Sequence, residues 1–271
     1  METIKSSNAK LSRISIHPFY LERNIRPDTY NFSKISTVIT IQREYHTIGP
    51  FSRTKEIPLE IDLEEKKIFR IGEYVSGVLL YDQIQKGHYD YKGKPIIIPY
   101  TLKSQFFIYP TDSAIIYFLS PKGGITTLKK IFPRLFHQVF NSESYSYSLP
   151  KSRVADLRDS LDIVAKNVTS ESDQTNVQRI SLAGTDPDHT ACYRGIPGNL
   201  TLIAFRGHVK PRNSTERWYI TISENGGIYT ANNVSILDFI NFHREEISPF
   251  LSRSANPISH RNMVEDGLFS Y

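Results

Sequence analysis

The alternation of apolar and polar positions divides this chain into a strand-rich first third, a short helical middle and a second strand-rich part closed by a helix. Lys34 to Arg43 (KISTVITIQR) is dense in β-branched residues. Glu56 to Leu63 puts Ile57, Leu59, Ile61 and Leu63 on one side, the period of a half-buried strand. Lys67 to Ile71 and Val75 to Tyr81 read as further strands, with Gly72 and Gly77 marking a turn or bulge. Gly87 to Gly93 (GHYDYKG) reads as a loop. Ile96 to Tyr100, Gln105 to Tyr109 and Ala114 to Leu119 then form three short apolar strands.

The period changes at Pro121. Gly123-Gly124 precedes Thr126 or Thr127 as a helix N-cap, and LKKIFPRLFHQVF follows with helical spacing, kinked or split at Pro133. The polar, turn-rich stretch Asn141 to Leu149 is the predicted domain boundary. A second helix is predicted from Ser152 to Val168, with Val154, Leu157, Leu161 and Val164 on one face, followed by a loop from Thr169 to Asn176.

Strands resume at Val177. Arg217 to Ser223 and Ile228 to Thr230 flank Asn225-Gly226, a hairpin signal, and Trp218, Ile220 and Ile222 are expected in the core. A final helix runs from Val234 to Ile247, begun at Asn233 or Ser235 and stopped by Ser248-Pro249. Strands and helices are clustered instead of strictly alternating. The pattern therefore predicts an α+β fold, largely antiparallel, with about three helices and two lobes. The lobes are a β-rich part over residues 1–145, ending in the basic helix, and an α+β part over 146–250, with a loose tail over 251–271.

Composition narrows the classes. With 271 residues, 39% hydrophobic and 23% charged, the chain has ample length and apolar content for a buried core. A single cysteine, Cys192, excludes an internal disulfide framework and any multi-cysteine zinc site. No apolar run approaches the ~20 residues of a membrane span, and METIKSSNAK lacks the apolar stretch of a secretory signal. A cytoplasmic location is expected.

The net charge of +5 is less informative than its distribution. Between Asp90 and Glu143 the only acid is Asp112, against seven bases; between Asp188 and Glu216 there are four bases and no acid. Segregation of this kind creates local positive potential even when net charge is small.

Within the second window lies TLIAFRGHVKPR. As a strand it places Arg206, His208, Lys210 and Arg212 on one face, with Ile203, Phe205 and Val209 on the other. Charges two residues apart lie about 6.6 Å apart along a strand, a spacing that suits a line of phosphates. The same pattern also describes a solvated strand face, or an edge strand charged against association. Lys122 in the Gly-Gly turn, with Lys129, Lys130 and Arg134 on the helix behind it, forms a second basic patch that could hold a backbone phosphate at a helix N-terminus. Aromatics interleave with bases from Tyr89 to Tyr117, an arrangement that stacks bases when exposed and fills a core when not.

Enzymatic chemistry has weaker support. Asp186, Asp188 and His189 could bind a divalent metal, but Asp-Pro-Asp is also ordinary turn chemistry. Asp82 with Asp90-Tyr91-Lys92 is similar to the acid, acid, lysine arrangement of metal-dependent nucleases, which would require Mg²⁺. No G-x-S-x-G, H-E-x-x-H, kinase set or G-x-G-x-x-G occurs. The expected function is a non-enzymatic nucleic-acid-binding accessory protein without a cofactor, contacting DNA or RNA phosphates. A processing or antiviral defence complex with a protein partner would be its setting. The alternatives are a metal-dependent nuclease and an interaction subunit docking through the apolar helix over 128–140.

Overall fold

The computed structural model describes residues 10–11, 13–21, 37–46, 52–71, 73–85, 90–91, 94–95, 98–109, 115–119, 142–161, 163–171, 179–184 and 202–254. In chain order the first strands are β1 (Lys10–Leu11), β2 (Ile14–Leu21), β3 (Thr37–His46), β4 (Ser52–Ile71) and β5 (Tyr74–Gln85). They are followed by β6 (Asp90–Tyr91), β7 (Lys94–Pro95), β8 (Ile98–Ile108), β9 (Ile115–Leu119) and β10 (Ser144–Ser148). Helix α1 (Lys151–Leu161) precedes β11 (Val164–Glu171), β12 (Arg179–Ala183), β13 (Leu202–Val209), β14 (Trp218–Ser223), β15 (Ile228–Thr230) and β16 (Val234–Ser235). Helix α2 (Ile236–Phe242) runs on through a π-helical turn, His243–Ile247, and a 3₁₀ turn, Ser248–Phe250, before β17 (Ser252–Arg253). The α+β class stands, mostly antiparallel sheet with two α-helices among the described residues. The third predicted helix, over 128–140, lies outside them.

The chain divides into two compact units, one holding the described residues within Met1–Tyr20 and Ser146–Ala255 together with Leu119, the other those within Leu21–Phe118 and Lys122–Tyr145. In the second, strands lie in the order β9-β8-β5-β4-β3, and β6 pairs with β7. Glu56–Leu63 and Lys67–Ile71, expected as separate strands, belong to one long β4. Its register against β5 shifts between Leu63 and Ile68, where four successive charged residues break the alternation. The expected loop over 87–93 contains β6. Tyr81, Phe107, Ile108, Ile116, Tyr117 and Phe118 are buried here. Burial pushes the Tyr81 hydroxyl up to about 12, with neighbouring Tyr100 adding to the shift.

The first unit carries the order β12-β11-β13-β14-β15-β2 among its described strands. Trp218, Ile220 and Ile222 on β14, Ile228 on β15 and Ile14 and Ile16 on β2 turn to one side. The inward face of α2 meets the start of β14: Trp218 packs edge-on against Phe239 and Phe242, with ring centroids 6.0 and 5.4 Å apart. Ser235 caps α2, its hydroxyl accepting from the N–H of Asp238.

Three expectations are corrected in this part of the chain. Helix α1 stops at Leu161 instead of Val168: Val154, Leu157 and Leu161 are buried as the spacing required, but Val164 begins β11. The β-branched residues Val164, Val168 and Thr169 gain pairing partners on β13 that a longer helix would forgo. The stretch over 141–149, expected to be turn-rich, instead contains strand β10, with Ser144, Tyr145, Tyr147 and Leu149 buried, and the division between the two units falls within it, at Tyr145 and Ser146. The start of the predicted tail is ordered against β10. Arg253 pairs with Tyr147, the Ser254 N–H donates to Ser146 O (2.9 Å), and the Arg253 guanidinium lies 5.1 Å from the centre of the Tyr20 ring.

Candidate functional site

Strand β13 runs between β11 and β14, antiparallel to both. It is therefore an interior strand, which removes the reading of its charges as edge protection. Val209 is fully buried while Arg206 and His208 are exposed, as the alternation predicted. The proposed stripe of four, however, is two pairs. The strand ends at Val209, and Lys210 and Arg212, both exposed, belong to the connection to β14. Pro211 has no N–H to give a ladder and stands buried just past the strand's end.

The connection is shaped by its own side chains and by the π turn. Ser214 N–H donates to Pro211 O (3.1 Å), and Glu216 N–H donates to the Ser214 hydroxyl (3.1 Å). The Arg212 N–H donates to Glu246 Oε1 at 3.0 Å, and its Nε lies 4.0 Å from Glu246 Oε2. Glu246 is buried while the Arg212 side chain is 74% exposed, so the backbone is tethered and the charge left outside. Burial raises the Glu246 carboxyl above its ordinary range, partly offset by the N–H and charge of Arg212. Glu246→Gln keeps the acceptor and removes the buried charge, so it should be at least as stable as the wild type at pH 7. Glu246→Ala should cost about 1–2 kcal/mol in urea unfolding by removing the partner of the Arg212 N–H.

Cross-strand registry assembles the outer face. Arg206 stands opposite Thr221, Thr221 opposite Tyr229 and Tyr229 opposite Ser15, one row across four strands. In the adjacent row His208 faces Tyr219, with ring centroids 5.0 Å apart and planes tilted by 59°. Tyr219 is thus diagonal to both Arg206 and Tyr229, about 7–8 Å from each. Tyr229 is 39% exposed, one of two large hydrophobic residues exposed among the described ones. The start of β14 is held where Tyr219 N–H donates to Asn232 Oδ1 (2.7 Å) and the buried Thr230 hydroxyl donates to Tyr219 O (2.9 Å). Among the described residues neither Arg206 nor Lys210 has an ion-pair partner.

Tyr219 and Tyr229 escaped the sequence pattern, which pointed to stacking aromatics between Tyr89 and Tyr117. Of those with described side chains, Phe106, Phe107 and Tyr117 are buried, Tyr109 is half-buried, and Tyr100 is exposed at 39%. The signal for Tyr219 was nonetheless present: with Trp218, Ile220 and Ile222 inside, it must point out.

The second basic patch, Lys122, Lys129, Lys130 and Arg134, lies outside the described residues, as do Asp186, Asp188, His189 and Cys192. Among the described residues no group of His, Cys, Asp or Glu is arranged to hold a metal. For the nuclease constellation, Asp82 stands on β5 opposite Thr101, whose hydroxyl donates to Asp82 Oδ1 at 2.8 Å. Asp90 lies on the separate ribbon β6–β7, and Lys92 is outside the described residues. No helix among the described residues is long and apolar enough to cross a membrane. No protein-family model matches the sequence, and no curated protein is significantly similar to it.

Proposed function

We propose that this chain is a non-enzymatic nucleic-acid-binding accessory protein whose phosphate contacts come from Arg206, His208, Lys210 and Arg212. A single observation carries the reading: all four are exposed, on β13 and the connection that follows it, in a stretch with no acid between Asp188 and Glu216. Exposed cations along a sheet and its adjoining turn attract a polyanion whatever its base sequence. Lys122, Lys129, Lys130 and Arg134 are proposed as further phosphate-contacting residues. A cytoplasmic nucleic-acid-processing or defence complex is the proposed setting.

The test is the salt dependence of binding. Removing one phosphate-neutralising cation should reduce the slope of log K against log salt by roughly 0.9 on duplex and 0.7 on single strands. Simultaneous replacement of Arg206, Lys210 and Arg212 by alanine should therefore flatten the slope by about 2–3 and weaken binding alike for different sequences. Fluorescence anisotropy with labelled oligonucleotides at several salt concentrations measures both. Unchanged affinity and slope in a variant with wild-type circular dichroism would remove the proposal.

A further inference from the structure

We infer that the nucleic acid bound on this face is single-stranded, with bases stacked on Tyr219 and Tyr229 and phosphates on Arg206 and the connection after β13. The inference rests on the proposed nucleic-acid binding and adds the form of the ligand. Width decides against a duplex. A major groove about 12 Å wide admits a helix or a two-stranded ribbon. Here the basic and aromatic residues stand on β13, β14 and β15, flanked on one side by β11 and β12 and on the other by β2. Six strands at about 4.8 Å spacing span about 24 Å, twice the groove. The sheet can touch only the outer phosphates of a duplex, and the two tyrosines would then meet no base.

A single strand has no such restriction, since its bases can turn toward the sheet. Tyr219 stands diagonal to Tyr229, about 7–8 Å away, so the two side chains can each serve a different base. Arg206 is diagonal to Tyr219 on the other side, and His208 lies directly opposite, its ring already against that of Tyr219. The aromatic pair thus has a cation and an imidazole beside it, the combination of π-face and charge that single-strand grooves use. Thr221, between Arg206 and Tyr229, adds a hydroxyl for hydrogen bonding. Charge complementarity suits a polyanion here, because among the described residues of the two rows there is no acid, and the width of the sheet with the two tyrosines then selects the single strand.

The experiment compares 15-nucleotide single strands of DNA and RNA with a 15-base-pair duplex by anisotropy, using the full chain. The wild type should bind the single strands at least tenfold more tightly than the duplex. Tyr219→Ala and Tyr229→Ala should each weaken single-strand binding by fivefold or more, with an unchanged salt slope and little effect on duplex binding. Tyr219→Phe, which keeps the ring, should retain most of the affinity, and this separates stacking from a general loss of structure. Equal affinity for duplex and single strand, or tyrosine variants that bind single strands like the wild type, would overturn the inference while leaving the phosphate contacts standing. Failure of the wild type to bind any of these ligands would overturn both.

Discussion

Replacing Gly226 with alanine should lower the unfolding free energy by about 3 kcal/mol, the largest loss expected from any single methyl added to this hairpin. Gly226 ends the loop between β14 and β15 at φ +73°, a conformation that costs an L-residue about 1–2 kcal/mol. The loop has three residues: Gly226 N–H donates to Ser223 O (3.0 Å), and Ser223 N–H donates to Gly227 O (2.8 Å). Its third position takes the left-handed conformation, the usual partner of a turn that closes a strand pair with one extra residue. Space adds to the cost. A Cβ at Gly226 would stand 2.6 Å from Leu251 Cδ1 and 3.2 Å from Tyr147 Cβ. Leu251 can rotate, but Tyr147 Cβ is fixed to β10. Urea titration should show a lower midpoint with an unchanged slope. A double variant with Leu251→Ala should lose less than the sum of the two single losses, because the smaller residue vacates the site the new methyl needs. Equal stability of Gly226→Ala and wild type would mean the turn is not held as described.

That hairpin also explains why some of the fold was legible in sequence and some was not. The core of β14 was readable because Trp218, Ile220 and Ile222 alternate without interruption beside an Asn-Gly pair. Strand β10 was hidden by its composition. Asn141 to Leu149 is polar enough to read as a boundary, yet Ser-Tyr-Ser-Tyr-Ser has a strand's period, and Tyr145 and Tyr147 are buried by it. Tyrosine is amphipathic, so average polarity misjudged where its ring would lie. Helix α1 failed in the opposite sense. Apolar residues from Val154 to Val164 fit a helical stripe, but the end of that stripe is β-branched and the partner strand β13 lies more than thirty residues on. Local periodicity carries no information about a pairing so distant in sequence.

The candidate site shows the same division. Arg206 and His208 could be placed on one outer face from alternation alone. Lys210 and Arg212 could not, because the end of the strand depends on Pro211 being buried and on the tether from Glu246, contributed 34 residues later. Bringing Tyr219 and Tyr229 beside Arg206 needed the registers β13–β14 and β14–β15 together. One alternating stripe thus becomes a two-dimensional patch only when three strands are aligned.

The buried His243 should by itself take about 3 kcal/mol from the stability of this unit as pH is lowered from above 6.5 to 4. His243 is fully buried on the π turn, and its Nε2 lies 2.8 Å from Gly226 O. A carbonyl only accepts, so Nε2 carries a proton and fastens the β14–β15 hairpin to the C-terminal helix, while burial favours the neutral ring. Burial lowers the imidazole from its ordinary 6.5 to about 4, although the hydrogen bond to Gly226 acts to raise it. Between those values the unfolded chain takes up a proton that the folded chain refuses, so acidification favours unfolding, and the loss is complete below about pH 4. Glu246, three residues further on, acts in the other direction. Its raised carboxyl binds a proton in the folded state at pH values where the unfolded chain has already released one, so its contribution is present in acid and lost as pH rises. Where the two windows overlap they partly cancel. Glu246→Gln should therefore steepen the acid loss by exposing the full His243 dependence, whereas His243→Gln, which keeps an N–H for Gly226 O, should flatten it. Unfolding free energies at half-unit steps from pH 4 to 7.5 would show this. A pH dependence unaltered by His243→Gln would place the titrating group elsewhere.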